Sequence, residues 1–213
     1  MAANCYRPAV SSSGHTGGSP DQSPSWIVEL RTVPKDDWAR TPGICHAVVL
    51  TQQHPPGPAW ATVTIRHERP DEPLVLTSDR VDLRVQTSDL PATLTAAPTQ
   101  DLDHVIHMWC AGGLAPEAIE EFLEATRGIA ADYALGREAW LEVLSHATDP
   151  DGGESGQPMF DEIFLGRYAT PEHLERLQRD PRWVGPSERL HASLTSRLDL
   201  ILQPRFNRLA TQR

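Results

Sequence analysis

Residues 160–183 read FDEIFLGRYATPEHLERLQRDPRW, and this stretch decides how the second half of the chain is read. Glu162 to Tyr168 is a short run rich in apolar and aromatic residues, the signature of a strand. Thr170-Pro171 follows it. Threonine is a favoured N-cap, and proline suits the first helical position because no N–H is needed there. Leu174 and Leu177 then fall on one face of the helix that this cap opens.

Working upstream, residues 149–156 (DPDGGESG) are a flexible hairpin loop, and Ala139–His146 is another strand. A helix opening at Pro116 and stopped by Gly136 precedes it. Ile119, Phe122, Leu123, Ile129 or Ala130, and Tyr133 repeat at helical spacing, with Glu117, Glu120, Glu121 and Glu124 outside. Gly112-Gly113 separates that helix from a strand over His104–Cys110. Downstream, Leu198–Gln203 is a last strand closed by Pro204. The order is β-α-β-β-α-β, so the predicted fold class is α+β with a ferredoxin-like domain over 103–206. Right-handed crossovers put both helices on one face of its four-stranded sheet. The other face would expose large side chains and needs cover. A second copy of the chain would provide it as a homodimer, giving a dimeric α+β barrel. The sheet expected in the first half is the alternative cover.

That first half has a different texture. Residues 1–24 are rich in Ser, Gly, Pro and Ala and read as a disordered arm. Trp26–Val33, Ile44–Thr51, the alternating Ala61–Arg66, Leu74–Leu76 and Val81–Gln86 read as short strands separated by proline turns. Residues 25–102 are therefore expected to be a small antiparallel β-rich region with a linker over 89–102, and 207–213 a tail. As a degenerate half of the same barrel this region would make an internal pseudo-dimer, but it carries no helical periodicity to support that.

The stretch 160–183, with Ser187–Ser193 and Ser196–Leu198 leading back to the last strand, resembles the dimeric α+β-barrel superfamily. In that group a strand leaves through Arg, an aromatic and Ser or Thr into a helix ending in Asp-Pro and an aromatic. The group includes antibiotic-biosynthesis monooxygenase-like proteins, polyketide cyclases, chlorite-dismutase-type haem proteins and many small proteins. The resemblance covers the C-terminal half only and implies a fold, not one activity.

Composition narrows the partners. The 213 residues carry a formal net charge of −10, with no basic excess in either half, so nucleic acid and anionic membrane are not expected partners. With a lone Arg7 and no continuous apolar stretch, residues 1–24 are not expected to act as a signal peptide, and no apolar run approaches membrane-spanning length. Three scattered cysteines, Cys5, Cys45 and Cys110, read as reduced thiols of a cytoplasmic protein. No zinc spacing, GxSxG elbow, GxGxxG or phosphate-binding loop is present. His104 and His107 point to opposite faces of a strand and cannot share a metal ion without a bulge.

Face assignment supplies the candidate site. If Ile106 and Met108 face the helices, His107 and Trp109 face the barrel interior. By the same rule Ala139, Leu141 and Val143 leave Trp140, Glu142, Leu144 and His146 inside, and Leu198, Leu200 and Leu202 leave Arg197, Asp199, Ile201 and Gln203 inside. Strand 162–168 offers either Arg167 or Tyr168. Aromatic walls around a few polar groups are how small-molecule sites are built, although a dimer interface would draw on the same residues. His107, Glu142 and His146 form the expected acid/base set, with Trp109, Trp140, Arg167 and Tyr168 contacting the substrate. The expected function is a small enzyme of specialised metabolism, working without an organic cofactor on a hydrophobic or aromatic substrate by cyclisation, isomerisation, elimination or oxygenation. The alternatives are a non-catalytic binding or assembly protein and a haem protein of the same fold.

Overall fold

The computed structural model describes residues 25–34, 45–53, 58–69, 71–87, 104–113, 116–126, 128–133, 139–146 and 160–206. The arm 1–24, the linker 89–102, the loop 149–156 and the tail 207–213 lie outside them. Among the described residues nine strands follow in order: β1 Ser25–Arg31, β2 Cys45–Gln53, β3 Thr62–His67, β4 Leu76–Thr77, β5 Arg80–Gln86, β6 Val105–Gly112, β7 Ala139–His146, β8 Glu162–Tyr168 and β9 Ser196–Phe206. Four helical segments belong to the second half: α1 Pro116–Thr126, α2 Ile129–Tyr133, α3 Pro171–Arg179 and α4 Pro181–Ala192.

All strands join one antiparallel sheet in the order β1-β3-β2-β9-β6-β8-β7-β5-β4, and β1 also pairs with β5. That extra pairing closes eight strands into a barrel, with the two-residue β4 appended to β5. The expected ferredoxin-like βαββαβ domain, completed as a dimeric α+β barrel by a second chain, is corrected by this closure. Strands of the first half join β9 through β2 and β7 through β5. The sheet face that called for a partner is covered by the chain's own N-terminal strands.

The reason lies in how an eight-stranded barrel fills. Its lumen is just wide enough for side chains to pack solid. One face of every strand contributes: Trp26, Val28 and Leu30; Cys45 and Ala47; Val63 and Ile65; Val81, Leu83 and Val85; Ile106, Met108 and Cys110; Ala139 and Leu141; Ile163 and Leu165; Leu198, Leu200 and Leu202. Burying each of the larger of these is worth about 1.5–3 kcal/mol, so the alternating apolar set of the first half is as necessary to the core as that of the second. A second cluster, including Val105, Trp109, Phe164, Tyr168, Leu174, Leu177, Trp183 and Leu190, packs between the outer face of β6 and β8 and the helices.

The helices depart from the sequence reading at two points. The expected single helix from Pro116 to Gly136 divides into α1 and α2 at Gly128, which adopts a left-handed φ of 85°. The chain after Asp180 does not run straight back to the sheet but forms α4. Asp180 ends α3 and caps α4, accepting from the Arg182 N–H at 2.9 Å and from the Tyr133 hydroxyl of α2 at 2.9 Å. The side chain and backbone N–H of Arg182 hold its carboxyl well below the usual range. β9 also outruns its expected end and passes through Pro204, which stands opposite Ala47 beside a register shift where a missing N–H is tolerated.

Two thiols report on lumen packing. Burial pushes the Cys45 thiol up to about 12 and raises that of Cys110 as well, with the Asp199 charge adding to the latter. Neither should react with Ellman's reagent in the folded protein at mildly alkaline pH, and both should react in guanidinium. Reaction of either before unfolding would show that the lumen opens.

Candidate functional site

The outer face of the sheet beneath α4 holds a cavity of about 270 Å³. His107 and Trp109 of β6, Phe164 of β8, and Arg197 and Asp199 of β9 form its floor. Trp183, Val184, Ser187, Glu188, Leu190 and His191 of α4 form the roof, and Phe122 of α1, Gln178 of α3 and Gln53 of β2 close the sides. Gln53 stands directly across the β2–β9 ladder from Asp199, so the first half of the chain reaches this site.

Strand register brings the polar floor together. Trp109 is directly opposite Asp199, which puts His107, two residues before Trp109 on the same face, diagonal to Asp199. His107 Nε2 lies 3.7 Å from Asp199 Oδ1, and Arg197 Nη2 lies 2.6 Å from Asp199 Oδ2. The carboxylate is sealed from solvent, and neither oxygen has an aligned hydrogen bond among the described residues. Burial raises its pKa, but His107 first and then Arg197 outweigh that, so the carboxyl is held below its ordinary range. Asp199 is therefore a buried anion stabilised by two neighbouring cationic or ionisable groups.

Aromatic rings set the walls. Phe164 meets His107 edge-on with centroids 6.3 Å apart, and Phe122 meets Trp183 edge-on at 5.1 Å. Gly166 faces His107 across the β6–β8 ladder. A Cβ there would stand 2.8 Å from Tyr168 Oη and 3.2 Å from the Phe164 ring, so the bare glycine lets Tyr168 fold over the strand beside His107. Gly166→Ala should cost about 1–3 kcal/mol by overpacking, read from the urea midpoint. No change would mean that the Tyr168 ring gives way freely.

The structure divides the expected site residues. His107 and Trp109 line the cavity, but on the outer face rather than in the lumen. Tyr168 is fully buried on that same face, outside the cavity lining. Arg167 alternates with the lumen residues Ile163 and Leu165, is 8% exposed, and does not reach the cavity; burial lowers its pKa. Glu142 is exposed on β7 and Leu144 is 44% exposed, so neither lies inside the barrel. Trp140 and His146 belong to β7, with side chains outside the described residues. The cause is one inversion. Alternation groups the residues by face as expected, but the lumen takes the apolar set, while the mixed face turns outward, under the helices on β6, β8 and β9 and toward solvent on β7. His191 is expected in the loop after the second helix with a structural or solvent role, whereas it stands on α4 in the roof of the cavity. Trp183 and the rest of that roof were not expected in the site, and Asp199 and Arg197 appeared only as generic lining.

No family model matches the chain, and no curated protein matches it. Among solved structures the chain is similar to an anthrone oxidase-like protein, with a TM-score of 0.51 and 12% identity over 90% of this chain and 95% of that one. At that identity the likeness is one of fold. No helix among the described residues is long and apolar enough to cross a membrane.

Proposed function

We propose that the protein is a small-molecule enzyme that moves a proton on a hydrophobic, aromatic-sized substrate held between α4 and the outer face of the barrel. The observation that carries this is His107, an imidazole beside the buried Asp199 carboxylate, at the floor of an aromatic-walled cavity. An imidazole that takes a proton becomes a cation, and a fixed anion next to it stabilises that state. At 3.7 Å the ring nitrogen is within ion-pair reach of Asp199 Oδ1 but beyond hydrogen-bond length, and catalytic pairs commonly tighten once a ligand is bound. Arg197 holds the other carboxylate oxygen and so fixes which way Asp199 faces. Trp109, Phe164 and Trp183 would sandwich a planar substrate and keep water from the reacting carbon. The name of the fold relative, an anthrone oxidase-like protein, agrees with a small-molecule role.

The test is proton exchange at the α-carbons of 2-tetralone, a two-ring ketone, followed by NMR in D2O. Exchange faster with folded protein than with buffer or heat-unfolded protein is the expected result. Binding of the ketone without exchange would reduce the protein to a carrier, and absence of both would remove the site.

A further inference from the structure

A helix covering a sheet ordinarily turns an apolar stripe inward. α4 does so with Trp183 and Leu190, both buried. The adjoining stripe, Val184, Ser187 and His191, also faces the cavity and is half-buried. These residues fall at helical spacing, so Ser187 and His191 stand one turn apart on one face. Polar groups kept on a covered face break the local pattern, and such breaks concentrate where function needs them. His191 is also braced: its ring packs against Trp109, with centroids 5.4 Å and planes 53° apart. Two imidazoles therefore stand on opposite walls of one cavity, His107 on the sheet and His191 on the helix.

Their surroundings separate their roles. His107 has the Asp199 carboxylate beside it, the partner a proton-accepting imidazole needs. Removing a proton next to a carbonyl sends the bonding electrons to the oxygen, and a positioned donor there stabilises the developing charge. Arg197, the cation on the sheet wall, has Nη2 committed to Asp199 at 2.6 Å. We propose that His191 donates to the substrate's oxygen, so that the site selects a two-ring or similar aromatic molecule bearing an enolisable carbonyl, or the matching enol or phenol hydroxyl. This rests on the reading of the cavity as the substrate site. The step balances within the pair: the C–H proton passes to His107, the electron pair moves to the oxygen under the His191 N–H, and return of both regenerates the ketone.

The test compares 2-naphthol with 2-fluoronaphthalene, equal in shape but lacking the hydroxyl, by equilibrium dialysis against the purified full chain. His191→Phe should lower the ratio of naphthol to fluoronaphthalene affinity roughly tenfold, the worth of one hydrogen bond. His191→Gln, which keeps an N–H donor, should restore most of it, and His107→Phe should leave the ratio within about twofold of the wild type. Fluoronaphthalene affinity reports whether each variant is folded, with His191→Leu as a second donor-free form. A ratio unmoved by His191→Phe and His191→Leu, or one that falls in His107→Phe instead, overturns the assignment while the cavity stands. Failure of the wild type to bind either naphthalene overturns the cavity reading and this inference with it.

Discussion

Replacing Arg80 with methionine is expected to destabilise the protein by about 3–5 kcal/mol, the cost of leaving a buried charge without its partner. Arg80 lies on β5, whose pairing with β1 closes the barrel. Its guanidinium reaches Asp82 at 2.7 and 2.8 Å on its own strand, and Glu29 at 2.9 Å across the seam. The Glu29 and Asp82 side chains are 4% and 0% exposed, so both are carboxylates withdrawn from water on the outer face of the barrel. Burial lowers the Arg80 pKa, but its bonds to Asp82 and the charge of Glu29 outweigh that and raise it. Without Arg80, Glu29 keeps Arg31 at 2.6 Å, while Asp82 keeps only the Val75 N–H at 3.1 Å among the contacts described. The control is Arg179→Met, which removes an exposed pair with Glu175 at 3.2 Å and should change stability by no more than about 0.5 kcal/mol. Urea midpoints for the two variants decide the matter. An Arg80→Met loss no larger than the control would mean that the β1–β5 seam is wetter than its burial implies.

What the sequence shows of this molecule follows from which physical signals are local. The strands at Ala139–His146 and Glu162–Tyr168 and the Thr170-Pro171 cap are written in neighbouring residues, and all three stand where the pattern puts them. Alternation also states which residues share a face: His107 with Trp109, Ile106 with Met108. It does not state which face turns inward, because that depends on what the other strands bring. The inward choice was made by Val28, Ile65, Leu83 and their neighbours, which pair with strands some 20 to 160 residues away. Each presents a single apolar face that only a closed lumen can bury. The roof of the site was hidden for another reason. Gly185 and Pro186 both disfavour a helix interior, yet both lie inside α4, where the Asp180 cap and the packing of Trp183 and Leu190 outweigh a lost backbone bond. With α4 unread, His191 had no wall to stand on, and Asp199 seemed one polar residue among several.

His107→Asn is expected to slow 2-tetralone exchange by about 10²- to 10⁴-fold, the range for removing a positioned acid/base group, with ketone binding changed little. Binding and rate separate because the aromatic walls, Trp109, Phe164 and Trp183, are untouched, whereas the proton acceptor is gone. Asp199→Asn is the sharper comparison, since it keeps the shape beside His107 and deletes only the charge. It should slow exchange as well, because the buried anion that favours the imidazolium is then gone. Its effect on stability has a definite sign with pH. The folded Asp199 carboxyl sits below its ordinary range, so its ionised form stabilises the fold at pH values above roughly 4 and loses that advantage as pH falls through the folded value. The gap in stability between wild type and Asp199→Asn should therefore narrow in acid. A slowed rate with a pH-independent stability gap would mean that the carboxylate serves His107 without carrying charge-dependent stability. An unchanged rate in both variants would remove His107 and Asp199 from the chemistry, leaving the cavity to work through the helix wall alone.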